Sequence, residues 1–276
     1  MTPPHAASPA PDSDPDRTAT DPELTEGGLA GQSLLLPAVE IIDPPALLAA
    51  ILADLATSDD PKAARAIAVR HLAAAKAGAS AALEAAFAAS PRDARPLITA
   101  LAHMTDGLVT TALGVAQALH PLPNPTEAER IAVLSVGGYG RAEMAPQSDV
   151  DLLFLTPWKI TPWAESMIET MLYLLWDLKL KVGHSVRTVA DCIRLGREDI
   201  TIRTALLEHR FIAGFQPLAA ELADRLWGEL FRNTGPEFIE AKLAERAERH
   251  KRQGGQRYVL EPNFKEGKGG LRDLHT

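Results

Sequence analysis

Cysteine is almost missing from this chain: Cys192 is the only one in 276 residues. A single thiol builds neither a disulfide framework nor a cysteine-based metal site, so Cys192 is expected to be a small buried residue. Aromatic side chains are scarce at 5%. Uninterrupted apolar runs fall far short of the ~20 residues a membrane span needs. The N-terminus also lacks the basic-then-apolar order of a secretory leader. These absences set the expectation of a soluble, cytoplasmic chain that partners neither membrane nor nucleic acid.

What is present leans helical. The composition is 46% hydrophobic and rich in alanine, enough for one or two domains with a substantial core. The formal charge of −8 is unevenly spread. Residues 1–40 hold seven acids against Arg17, whereas residues 242–276 carry nine Lys or Arg against five acids. A basic C-terminal segment beside a near-neutral body suits an anionic ligand or a solvated helix face.

Along the chain, residues 1–38 are rich in Pro, Asp, Ser, Thr and Gly and read as a disordered tail. Residues 39–121 read as a helical region, with a long Ala-rich helix entered from Ser58 or Asp59 and Pro61 in its first turn. The Pro-rich stretch HPLPNPTEAER closes it. Residues 122–190 change character. IAVLSV and VDLLFL are short β-branched and apolar runs, and KVGHSVRTV reads as a third strand. Residues 191–276 read as helical again, including DITIRTALLEHRFIAG ending on Gly214, before a glycine-rich stretch RYVLEPNFKEGKGGLRDLHT.

The chemistry concentrates in VLSVGGYGRAEMAPQSDVDLLFL. Side chains alternate along a strand, so Asp149 and Asp151 share one face while Val150, Leu152 and Phe154 pack on the other. Two carboxylates on one face repel each other unless a cation neutralises them. A hard divalent ion with oxygen ligands, Mg²⁺ with phosphates above all, does this. Gly137 and Gly138 end the preceding strand, and their lack of Cβ lets backbone N–H groups approach an anion. The stretch is neither a P-loop, for want of GxxxxGK[ST], nor a dinucleotide fingerprint, since Glu143 stands where the third glycine belongs.

GGYGRAEMAPQSDVDLLFL resembles the nucleotidyltransferase signature of the DNA polymerase β superfamily, in the form of the bacterial PII uridylyltransferase/uridylyl-removing enzymes. KVGHSVRTVADC, LLEHRFIAG and RYVLEPNFKEGKGGLRDLHT extend that resemblance in order to the last residue. The resemblance implies an α+β fold: a small mixed sheet forming a polymerase β-like nucleotidyltransferase core, flanked by helical regions. It implies an enzyme of nitrogen regulation that transfers UMP from UTP to a tyrosine hydroxyl of the PII protein and releases diphosphate. Carried over, Gly137 and Gly138 hold the triphosphate, Asp149 and Asp151 ligate Mg²⁺, and Arg187 faces the triphosphate.

Other roles stay open. Arg141 either pairs with Glu143 or contacts substrate, and Ser148 either assists the phosphates or caps a loop. Tyr139 reads as packing rather than base stacking. Lys265, Lys268 and Arg272 either close over an anion or form a surface loop. Many superfamily members carry a third carboxylate on the next strand, where GHSVRT has none, so the general base has no evident candidate beyond His184. The family continues into an HD hydrolase and two ACT sensor domains. The chain has no His-Asp dipeptide and stops within GGLRDLHT, so those modules are expected to be absent. Two rival readings are adenylyl transfer onto glutamine synthetase and a non-catalytic fragment that binds nucleotide or PII.

Overall fold

The computed structural model describes residues 33–57, 60–92, 94–252 and 263–275. The expected tail therefore lies mostly outside the described residues, as do Ser58 and Asp59. Leu34, Leu35 and Leu36, read as part of that tail, pack against the core.

The helices α1 (Ala38–Ile41), α2 (Pro44–Leu55), α3 (Pro61–Ala89) and α4 (Ala94–Leu119) come first. Asp43 starts α2 by accepting a hydrogen bond from the Ala46 N–H at 3.0 Å, with two prolines in the first turn. Residues Ala63–Ala89 of α3 are long and apolar enough, by length and composition, to cross a membrane. That apolarity is mostly alanine interrupted by charge: Arg65 pairs with Asp177, and Arg70 and His71 pair with Asp54. Ala68, Leu72, Ala79 and Leu83 turn into the core.

Next follow β1 (Ala132–Ser135), α5 (Gly137–Gly140), β2 (Val150–Thr156), α6 (Pro162–Asp177) and β3 (Val182–Thr188). After these come α7 (Val189–Glu198), α8 (Ile200–Leu207), β4 (Arg210–Gly214), α9 (Gln216–Leu226), a π-helical turn (Trp227–Phe231), α10 (Gly235–Arg252) and α11 (Leu271–Leu274). The strands form one mixed sheet in the order β3-β2-β1-β4. β1 runs antiparallel to β2 and β4, while β2 and β3 are parallel through α6.

β4 corrects the sequence reading, which carried a helix through to Gly214. The helix ends at Leu207, and Arg210–Gly214 pairs with β1. Short apolar runs fit helix and strand equally well by period alone. What decides is the open backbone edge of β1, which is fully buried and must be paired. Gly214 does end the element, at φ +96.

Helices cover both faces of the sheet. Val133, Val150, Leu152 and Phe154 face α2, α3, α4 and α6 in the larger core. Ala132, Leu134, Leu153 and Leu155 face α7, α8 and α9 in a second core. β2 is thus buried on both faces, with only its first residues emerging. Cys192 lies fully buried in the second core, where burial pushes its thiol up to about 12.

Candidate active site

Asp151 points from the second-core face, one residue pair before Leu153 enters that core. It lies opposite Gly183 of β3, and Asp149 precedes it just outside the strand. Two glycines make room for its carboxylate. A Cβ on Gly183 would stand 2.6 Å from Oδ1, and one on Gly137, itself at φ +61, would stand 3.8 Å from Oδ2. Among the described residues, neither aspartate accepts a hydrogen bond or forms an ion pair. Burial first, and the neighbouring Asp149 second, push the Asp151 carboxyl above its ordinary value, with Lys265 pulling it back in part. An open cleft of about 470 Å³ begins at these carboxylates and is bounded by Trp176, Lys181, Val182 and Gly183.

This donor set fits a divalent cation that keeps positions for substrate. Two carboxylate groups aligned on one face, with excess negative charge and no Cβ crowding them, are what Mg²⁺ shared with phosphates requires. No third His, Cys, Asp or Glu completes a protein-only cage among the described residues. Ser185 faces Leu153 across the β2–β3 pair, so β3 brings no acid to this face. His184 lies opposite Leu152 and so faces the other way, its ring edge-on to Trp176 at 6.3 Å. That position removes it from the carboxylates.

α5 is the single helical turn that the glycine pair opens. Its first N–H groups have no carbonyl within the helix to bond. Arg141, which follows, is held by carboxylates: its Nε donates to Glu143 at 2.9 Å and its Nη1 to Glu208. Ser148 closes a turn, its N–H donating to the Ala145 carbonyl and its Oγ accepting from the Ala145 N–H, both at 3.0 Å. Tyr139 is buried, and its hydroxyl donates to Asp106 at 2.8 Å. Asp106 also receives both guanidinium ends of Arg210 at 2.7 and 3.0 Å. This buried junction ties α4, α5 and β4 together. Nothing in the local sequence joins residues more than a hundred positions apart, and the sequence reading missed it.

The C-terminal stretch folds back onto this turn. His275 Nδ1 lies 3.1 Å from Arg141 Nη2, and its Nε2 is 3.6 Å from Glu143. Asp273 is the anchor: it accepts from the Gly269 N–H at 2.8 Å, Arg249 at 2.7 Å and His250 at 2.9 Å. Burial alone would raise the Asp273 carboxyl, but the Gly269 amide, Arg249 and His250 more than offset it and hold it at about 2. Its anchoring contribution is therefore full above the ordinary value of 3.8 and lost as pH falls through about 2. Of the three cations assigned to this loop, Lys265 reaches the field of Asp151, whereas Arg272 pairs with Glu266 at 3.0 Å. Lys268 is also engaged within the protein. Asp273→Asn is expected to free the loop at neutral pH, so that trypsin cleaves at Lys265 and Lys268 several times faster than in the unaltered chain.

Comparison with known proteins addresses this site. The family model described as GlnD PII-uridylyltransferase matches residues 237–276, which include most of α10 and the Asp273 anchor. The bifunctional uridylyltransferase/uridylyl-removing enzyme of Cereibacter sphaeroides is 72% identical over 246 residues. The resemblance is to the bifunctional uridylyltransferase/uridylyl-removing enzymes. The match covers 88% of this chain and 26% of that relative. The enzyme of the same name from Ruegeria pomeroyi is 60% identical over 86% of this chain and 26% of its own length. That from Rhodospirillum rubrum is 59% identical over 57% and 17%. The chain thus spans about a quarter of the length of the first two uridylyltransferases, and its similarity to them runs over most of its own residues.

Proposed function

We propose that this chain carries the uridylyl-transfer site of such an enzyme: UMP passes from UTP to a tyrosine hydroxyl of the PII protein, and diphosphate leaves. The observation that carries this reading is the pair of unpartnered carboxylates, Asp149 and Asp151, set between Gly137 and Gly183 at the open end of a strand buried on both faces. Within the chain we assign a nucleotidyltransferase core to residues 122–190, completed by β4. Residues 39–121 and 191–276 are its helical flanks, and the setting is the cytoplasm.

In this reading the tyrosine oxygen attacks the α-phosphorus of UTP. A new P–O bond forms as the bond to the diphosphate breaks, and the tyrosine proton departs. Such a displacement needs positioning and charge neutralisation rather than a protein nucleophile. Asp149 and Asp151 are the residues that would hold Mg²⁺, which when bound offsets negative charge on the phosphoryl oxygens. Gly137 and Gly138 present the N–H groups of the α5 turn to the phosphates. Lys265 adds positive charge beside Asp151, whereas Arg187 stands further along the same sheet face, away from that cleft. Arg141 and Ser148 are reassigned from the nucleotide to the loop itself, because their polar groups are engaged with Glu143, Glu208 and Ala145.

The test is direct. The chain is incubated with PII and Mg²⁺, together with UTP or ATP labelled at the α-phosphate. Label transferred to PII from UTP and lost on chelation supports the reading. Transfer from ATP instead, or nucleotide binding with no transfer, overturns it.

A further inference from the structure

A second concavity lies on the same sheet face as Asp151, one residue pair deeper. It has a volume of about 140 Å³, and its lining includes Val136, Leu153, Ser185, Arg187, Thr201 and Ala205. Val136 adjoins Gly137, and Leu153 is two residues beyond Asp151, roughly 7 Å along the strand. The cavity is therefore a neighbour of the carboxylates and of the glycine turn. α8 forms its roof, set in place by Asp199, whose carboxylate accepts from the Thr201 and Ile202 N–H groups at 2.6 and 3.3 Å.

Its chemistry is mixed in a particular way. Most of the wall is aliphatic, yet three polar side chains converge on it. Among the described residues, the Ser185 and Thr201 hydroxyls and the Arg187 guanidinium make no hydrogen bond or ion pair within the protein. Arg187 is partly buried, so an unpaired guanidinium there is costly unless a ligand meets it. An apolar wall with a few placed polar groups suits a flat heteroaromatic ring better than a phosphate, which needs many donors. The volume is well below the roughly 300 Å³ at which pockets for whole drug-sized ligands begin, so it takes one ring and not an entire nucleotide.

We infer that this cavity is the nucleobase subsite and that it selects a pyrimidine, uracil in particular. The inference rests on the nucleotide reading above. A cavity of about 140 Å³ favours a single ring over a fused purine. Arg187 donates only, so it matches a ring carbonyl and opposes the amino group that cytosine carries in its place. Ser185 and Thr201 both donate and accept, which suits the remaining polar edge. A site built to meet a carbonyl discriminates more strongly than an apolar slot, because the wrong ring leaves Arg187 unpaired.

Calorimetric titration of the chain with UTP, CTP, ATP and inorganic triphosphate, all with Mg²⁺, tests this. The unaltered chain is expected to bind UTP at least about tenfold more tightly than CTP or ATP. Ala205→Leu fills the cavity and is expected to lower UTP affinity about tenfold while leaving inorganic triphosphate binding unchanged. The double variant Ser185→Ala, Thr201→Ala adds no bulk and is expected to narrow the UTP-to-CTP preference; it decides the matter if Ala205→Leu does not fold. If UTP binds folded Ala205→Leu as it binds the unaltered chain, or the double variant keeps every preference, the subsite lies elsewhere and the nucleotide reading stands. If the unaltered chain binds no nucleotide, both readings fall.

Discussion

On the proposed function, Asp151→Asn is expected to lower uridylyl transfer roughly a hundred- to a thousandfold, while raising the melting temperature. The loss follows from charge: one of two carboxylates is removed from a site whose role is electrostatic, where a single such group is worth roughly 10²–10³ in rate. The gain in stability follows from the same charge. Burial and the Asp149 carboxylate push the Asp151 carboxyl above its ordinary value, so the ionised form is disfavoured in the fold relative to the unfolded chain. A group shifted in that sense weakens the protein at neutral pH, and stability returns as pH falls through its folded-state value. Asparagine mimics the protonated form at every pH. Thermal melts should show the variant a few degrees above the unaltered chain at pH 7, the gap narrowing on acidification and on adding Mg²⁺. Equal melting temperatures without Mg²⁺, or near-normal transfer by the variant, would mean that Asp151 is not a strained functional carboxylate. Active sites that hold like charges together commonly trade stability for activity in this way.

Gly140→Ala is expected to be the most damaging single methyl in the chain. An added Cβ would stand 1.7 Å from the Glu208 carbonyl oxygen and 3.2 Å from that of Ser135. Both obstacles are backbone, so no side-chain rotation relieves the clash; α5 must separate from the α8–β4 connection. That movement would also pull apart Arg141 and Glu208, and the Tyr139–Asp106–Arg210 junction beside them. A destabilisation above about 4 kcal/mol, in the range reserved for severe core defects, should appear as a large fall in the urea midpoint. Gly138→Ala is the control. Its methyl would meet only Arg141 Nη2 at 3.7 Å and the Glu143 carbonyl at 3.8 Å, which is ordinary contact. Gly138→Ala should therefore fold. If Gly140→Ala unfolds at the same urea concentration as Gly138→Ala, the close approach of α5 to Glu208 is wrong.

Much of the site was readable in the chain itself, because its signals are local. The i, i+2 spacing of Asp149 and Asp151 puts both carboxylates on one face wherever that strand sits, and the glycine pair announces a tight turn before it. The three strands read from β-branched runs are the three that flank this motif. β4 was not readable: RFIAG continues an apolar period that a helix also satisfies, and only the unpaired edge of β1 makes it a strand. The partners of Arg141 and Ser148 were likewise unreadable: their type suggests anion ligands, and only the fold shows Glu208 and the Ala145 turn against them.

Sequence alone therefore determined the motif, its order along the chain and the family it resembles, since each depends on residues within a few positions of one another. Tertiary structure decided which polar groups remain available for a ligand. That choice depends on contacts between residues far apart: Glu208 on Arg141, Asp106 on Tyr139, Gly183 beside Asp151, and Lys265 in the field of Asp151. A side chain's chemistry is set by its type, but its freedom to act is set by what the fold brings against it.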